Sequence, residues 1–335
     1  MIHDSPALFW DWMIGAYLFL GGISGGAYLT GAAADYLRQR SESGGVPGFD
    51  RTDTKSRAYG LTALGGMVVS FAAISLGGLL LLFHLGEPLN AIELWLFTNI
   101  ESWMAIGVWV IILFVVAALA QLAWLGFGRD GGFGLDLGPI DEIVDRTRPA
   151  TDTRLALHIV GGALAVTLIV YTALLLSAVA PVVPLWHPIL LPLLFLTSGI
   201  SMGISATALV PTLLLGVDDT GVHEFSLADD AVILGEIGVL AALLWYLAGA
   251  GGTATASYEL LTQTFMLEFW GFVVVVGLVL PLLISGTLIL LHRRGTHVDG
   301  LVGRAAYGSK FGFVLIGGLF LRLSILYAAL NVPIF

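Results

Sequence analysis

The sequence predicts an all-α, polytopic integral membrane protein: eight transmembrane helices in two four-helix bundles. Three observations lead there. Of 335 residues, 57% are hydrophobic and only 11% charged, against about 25% charged in a typical soluble domain. The apolar residues gather into eight stretches, roughly 9–37, 58–85, 102–126, 155–180, 188–216, 231–249, 267–291 and 311–332, and about 20 apolar residues suffice to cross a bilayer as a helix. The cations are one-sided. Arg38, Arg40, Arg51, Lys55 and Arg57 follow the first stretch, Arg129, Arg146, Arg148 and Arg154 the third, and Arg293, Arg294, Arg304 and Lys310 the seventh. Thirteen of the 14 Lys and Arg thus share one side, and the opposite loops hold none. By the positive-inside rule that side is cytoplasmic, which puts the protein in the cell membrane with both termini outside.

The first span, Phe9–Ala34, organises the others. It opens on Trp10 and Trp12, aromatic residues suited to a membrane–water interface. Its middle is thinned to glycine: Gly21 and Gly25 are four apart, as are Gly22 and Gly26. This doubled small-xxx-small face lets a neighbouring helix approach closely. Tyr17 stands one turn before Gly21 on the same side, and a phenol inside a membrane needs a partner that lipid does not offer. The N-terminus carries Asp4 and Asp11 and lacks the basic n-region of a cleaved signal peptide.

The loop after it, 38–57, mixes Gly44, Gly45, Pro47 and Gly48 with charges and reads as a connector. The second span ends in FHLGEP, where Pro88 stops the helix. The next segment, Leu89 to Ser102, is amphipathic, with Trp95 and Phe97, and reads as a surface helix on the outer face. Glu101 opens the third span, where a carboxylate suits the helix dipole. The acidic loop 127–154 reads as a solvated connector. The fourth span contains Tyr171-Thr172. PVVPLWHP leads into the fifth, and the sixth, seventh and eighth spans follow.

An internal repeat emerges. FLGGISGGA in the first span is echoed by FLTSGISMGIS in the fifth, Glu101-Ser-Trp103 by Glu268-Phe-Trp270, and Gly161-Gly162 before Tyr171 by Gly317-Gly318 before Tyr327. Paired spans run the same way, which predicts two bundles, 1–185 and 186–335, related by an axis along the membrane normal.

Polar groups inside spans are the default functional candidates. Taking about 1.5 Å per residue, Tyr17 lies about 12 Å below the outer end of its helix and Tyr171 about 15 Å below Pro181. Trp10, Asp11 and His84 lie above them, nearer water. Phenols at depth with titratable groups at the mouth suit a quinone, whose carbonyls need donors and whose redox chemistry moves two protons. Arg322, near the middle of the last span, should be paired. Glu236 is the nearest partner by depth, as a structural pair or as part of a proton path. The sequence has no cysteine, so it holds no disulfide, thiolate-bound iron–sulfur cluster or Cys zinc site. No metal or nucleic-acid site is expected. Two rival readings are a haem b anchor using His84, His187 or His158, and a secondary transporter. The net charge of −10 reads as adaptation to high salt.

FW-x-W followed by Y-L-F-L-G-G-I-S-G-G, the L-G-x-P turn after His84, the Y-T pair, L-P-L-x-F-x-x-S-G in the fifth span, EFWGF in the seventh and GGLFLRLSILYAAL in the last together resemble the NrfD/PsrC family. The resemblance spans nearly the whole sequence. It implies a membrane anchor and quinone-reactive subunit of a respiratory oxidoreductase, used in anaerobic respiration. Such a subunit is not an enzyme alone. It exchanges electrons between menaquinone or another membrane quinone and a four-cluster ferredoxin-like iron–sulfur subunit on the outer face, which serves a molybdopterin catalytic subunit. No haem or iron–sulfur cluster is expected in the protein itself. The family's first helix contacts quinone through an Asn and a His; Ile14 and Tyr17 occupy the matching positions here, which leaves Tyr17 as the donor.

Overall fold

The structure is a computed structural model that describes residues 12–41, 54–84, 103–129, 131–178, 183–214, 222–294, 298 and 300–330. Trp10, Asp11, Glu101 and the expected surface helix with Trp95 and Phe97 lie outside the described residues. The helices are α1 (Trp12–Ser41), α2 (Thr54–His84), α3 (Trp103–Gly126), α4 (Pro139–Thr147), α5 (Thr151–Ser177), α6 (Leu190–Leu214), α7 (Val222–Gly249), α8 (Thr253–Glu259), α9 (Leu280–Arg293) and α10 (Gly300–Leu330). Wider π-type turns over Leu260–Thr264 and Leu267–Val279 join α8 to α9. Eight helical segments are long and apolar enough to cross a membrane: Trp12–Gln39, Arg57–His84, Ala105–Gly126, Thr151–Ser177, Leu190–Leu213, Val222–Gly249, Leu267–Arg293 and Gly300–Ala329.

The sixth and eighth spans begin earlier than the sequence suggests, at Val222 and Gly300 rather than near 231 and 311. The reason is electrostatic. Asp229, Asp230 and Lys310 look like loop residues in isolation, but Lys310 Nζ lies 2.7 Å from Asp230 and 3.5 Å from Asp229. Paired charges are tolerated inside the bundle, so both helices run on through them.

α1 and α6 form the centre. Gly22 and Gly26 of α1 meet Gly199 and Gly203 of α6. A Cβ at Gly26 would strike the Gly199 carbonyl, and one at Gly203 would strike the Gly26 backbone. The two glycine pairs are the very segments that the sequence shows as a repeat, and they cross parallel, 22 against 199 and 26 against 203. Close backbone approach of this kind replaces the hydrophobic drive that lipid cannot supply. The second small face is used differently. Gly25 abuts Ile169 and Ala165 on α5, while no atom of the described residues approaches the Cβ position of Gly21 within 4 Å.

The remaining spans wrap this pair. α2 lies antiparallel to α1, with Gly31 against Gly66 and Ser24 Oγ donating to the Ser70 carbonyl at 2.7 Å. α5 lies antiparallel to α1, since Tyr28 meets Gly161 while Asp35 meets His158. α7 packs antiparallel to α6 through Ser201 and Asp229, and α10 pairs with the seventh span at Gly277 and Gly317. One apolar cluster takes Tyr17 and Leu18 from α1, Ile169 and Ala173 from α5, and Phe195, Ile233 and Leu321 from the later helices. The core thus crosses the 185/186 boundary. Outward faces carry exposed Leu76, Leu113, Val116, Ile159 and Trp245, side chains suited to lipid contact.

Candidate functional site

Among the described residues, two groups of polar side chains inside the spans bear on the expected site, one in each half. The first is the tyrosine pair. Tyr17 on α1 and Tyr171 on α5 are 4% and 6% exposed, and the two phenols are electrostatic neighbours. Glycines make room for both. The Tyr17 ring lies against Gly77 of α2, and the Tyr171 ring and hydroxyl occupy the space where Gly107 of α3 would carry a Cβ. Four helices thus meet at two phenols, with a bare backbone behind each. Similar depth in the sequence becomes spatial adjacency because α1 and α5 run antiparallel.

Of the other residues singled out around this pair, His84 is half-buried at the end of α2. It stands two turns beyond Gly77, about 10 Å along the axis. Ile14 packs on the edge of the central apolar cluster. His187 caps α6, its Nδ1 accepting from the Ile189 and Leu190 amides at 3.2 Å each, and its ring meets Tyr246 edge-on.

The second group is a line of charges along α6, α7 and α10. At one end Lys310 Nζ donates to the Ser226 carbonyl at 2.7 Å, to Ser226 Oγ at 2.6 Å and to Asp230 at 2.7 Å. Ser285 also donates to Asp230. Asp229 accepts from Ser201 Oγ at 2.6 Å. Two turns further along α7, on the same face, comes Glu236, an electrostatic neighbour of both Asp229 and Arg322. Arg322 is 1% exposed. Its Nη1 donates to Ser198 Oγ at 2.5 Å, its Nη2 reaches the Phe195 carbonyl at 3.3 Å, and its guanidinium lies 4.8 Å from the Phe195 ring centroid. Glu236 and Arg322, the expected partners, are electrostatic neighbours, and Ser198 adjoins both. The line ends at α1, because a Cβ at Gly22 would come within 3.2 Å of Arg322 Nη2.

Sequence reasoning misses a third cluster. Asp35, fully buried near the end of α1, accepts from Arg38 Nη2 at 2.9 Å and Gln39 Nε2 at 2.7 Å, and meets Arg154 Nε at 2.8 Å and His158 Nε2 at 2.7 Å. His158, a candidate haem ligand by sequence, is committed to this carboxylate. The signal is present in the sequence: Arg154 and His158 are four apart, hence on one face of α5. Lys310 and the two aspartates can likewise be found by asking what compensates an acidic pair inside a hydrophobic run.

The fold and its buried chemistry define a multi-pass membrane protein whose polar groups are held between helices. Comparison with known proteins gives the family. A family model described as "Polysulphide reductase, NrfD" matches residues 1–334. The sequence is 32% identical to the C subunit of polysulfide reductase from Wolinella succinogenes over 337 residues, covering 98% of this protein and 96% of that one. It is 32% identical to protein NrfD of Escherichia coli, covering 96% and 95%, and 27% identical to a Haemophilus influenzae NrfD homolog, covering 97% and 95%. The protein belongs to the NrfD family.

Proposed function

We propose that this protein is the membrane anchor and quinone-reactive subunit of a respiratory oxidoreductase. It exchanges electrons between a membrane quinone, such as menaquinone, and an iron–sulfur subunit outside, which serves a molybdopterin-type catalytic subunit. The observation that carries the reading is the Tyr17–Tyr171 pair. Two phenols on facing helices, each set against a glycine, offer hydroxyl donors in an otherwise apolar surround, and quinone carbonyls accept such bonds. Quinol oxidation releases two protons and two electrons; reduction reverses both. The sequence lacks cysteine, so the electrons pass to a cluster held by a partner. The one-sided cations support the orientation, with both termini and the quinone mouth outside and His84 nearer water. The segment 86–101 is the proposed docking surface for the iron–sulfur subunit.

A second element of the proposal concerns the charged line. Lys310 faces two carboxylates, and Arg322 shares Ser198 with one, so the line holds one more acid than base. An acid in excess can carry a proton, and the line runs from the N-terminal ends of α7 and α10 to Gly22, about 8 Å along α1 from Tyr17. We read it as a proton path between those ends and the quinone region.

The test is quinol-linked turnover in the assembled complex, with a reduced-minus-oxidised spectrum of the same sample. Turnover that depends on both tyrosines, with no haem band assigned to this subunit, is the expected result. A haem band from this subunit, or turnover indifferent to both tyrosines, overturns the reading. A cysteine placed at residue 45 should be labelled from the cytoplasm only; labelling from outside inverts the orientation.

A further inference from the structure

The Asp35 cluster belongs neither to the tyrosine pair nor to the charged line, and it leaves buried donors unspent. Arg154 has Arg38 and Arg148 as like-charged neighbours. Arg38, Arg154 and His158 meet Asp35, and Arg148 meets Asp145 at 3.5 Å. Donors are left over. Arg148 Nε, Arg154 Nη2 and His158 Nδ1 are buried and have no hydrogen-bond partner among the described residues, although Arg154 and His158 are only 5% and 6% exposed. Buried donors normally find a partner, and those on charged groups are the costliest to leave unmade.

We infer that this niche binds a phosphate-bearing anion, and that its occupant is the headgroup of an anionic phospholipid. The unspent donors all belong to cationic or protonatable groups, which suits a phosphate with several acceptor oxygens. Arg154 lies in the first turn of α5, where the helix dipole adds to the attraction. The surroundings favour lipid over free phosphate. Leu155 and Ile159, the residues next to Arg154 and His158, are 40% and 64% exposed, so an acyl tail can lie along α5 with its phosphate at the niche. α4, which delivers Arg148, exposes Ile140 and Ile143 while burying Asp141 and Val144, as a helix lying in a membrane interface does. Basic pockets between spans at the membrane boundary take lipid headgroups on this chemistry.

The experiment uses the intact purified protein, delipidated and returned to nanodiscs of phosphatidylcholine alone or with phosphatidylglycerol, with inorganic phosphate as a separate arm. Native mass spectrometry reads retained lipid and thermal unfolding reads stabilisation. The niche should retain phosphatidylglycerol selectively, and Arg148→Gln should weaken that retention about fivefold. Arg148 makes no bond to Asp35, so this variant keeps the fold where Arg154→Gln can disturb it. His158→Gln should weaken retention in the same direction. Stabilisation by inorganic phosphate in phosphatidylcholine discs, lost in Arg148→Gln, supports the anion site but assigns it to free phosphate. Equal retention of the two lipids with no effect of phosphate overturns the proposal. Selective retention undiminished in both variants also overturns it.

Discussion

The two halves of the molecule handle polarity in opposite ways. In the first half the spans keep charge at one end: Asp35 gathers Arg38, Arg154 and His158 there, and the interior beyond holds the neutral phenols of Tyr28, Tyr17 and Tyr171. In the second half charge runs through the middle, from Lys310 and its aspartates to Glu236 and Arg322. A buried charge without a counter-charge costs several kcal/mol, whereas a buried hydroxyl costs far less. The first half is therefore suited to hold an uncharged ligand, and the second to hold or move protons. The glycine crossing of α1 and α6 joins them.

The comparison breaks most readily in the second half. Arg322→Leu leaves Glu236 without its cation, and Lys310→Met leaves two carboxylates facing each other. Removing one side of a buried pair commonly costs about 3–5 kcal/mol, so both variants should lose most of their folded protein in membranes. Glu236→Gln combined with Arg322→Leu should recover part of the loss. Simple additivity in that double-mutant cycle would mean that Ser198 does not couple the two groups. The Asp35 cluster should be more forgiving. Arg154→Gln still leaves Arg38, Gln39 and His158 on the carboxylate, and loss of one charge-assisted bond is worth about 1.5–3 kcal/mol. A thermal unfolding scan of the two sets of variants ranks the halves. An Arg154 variant as damaged as the Lys310 variant would abolish the distinction.

The junction can be tested alone. At Gly26 an added methyl meets the Gly199 carbonyl, which is backbone and cannot rotate away. Overpacking of this kind costs about 1–3 kcal/mol. Gly21→Ala, more than one turn earlier with no atom of the described residues within 4 Å of its Cβ position, should be neutral. The pair of variants separates a specific crossing from a general need for small residues.

Most of the architecture is legible in the sequence because its signals are additive. A long apolar run needs no partner to be recognised. Gly22–Gly26 and Gly199–Gly203 stand at echoed positions, but that α1 and α6 meet there is a pairing the repeat alone does not assign. What escapes is pairwise. Asp35 needs His158, 123 residues away, and Lys310 needs Asp230, 80 residues away. Lys310 and the two aspartates each look like loop residues alone, which is why the sixth and eighth spans read too short from sequence. Tyr17 and Tyr171 match by depth along their helices, but the glycines that admit their rings, Gly77 and Gly107, carry no mark that sets them apart from the rest of the 43 glycines.

The smallest expected effect bears on the first half and on the chemistry itself. Tyr17→Phe removes one hydroxyl and keeps the ring that packs on Gly77; Tyr171→Phe does the same against Gly107. Neither should change abundance, because the ring is kept against Gly77 and against Gly107, where only the hydroxyl oxygen is lost. If each phenol donates to a quinone oxygen, a hydrogen bond worth about 0.5–1.5 kcal/mol is lost, and quinol affinity falls about twofold to tenfold. The two losses should not add independently, since the phenols are neighbours and one bound molecule would engage both. Quinol titration of the assembled complex in the single and double variants distinguishes the cases. Affinity reduced in each single variant, with a double variant that departs from additivity, places one ligand between the two hydroxyls. Unchanged affinity in all three removes the tyrosine pair from the binding site. The uncharged interior of the first half would then be a feature of packing alone, and the quinone contact would have to be sought along α7 and α10, beside Glu236 and Arg322.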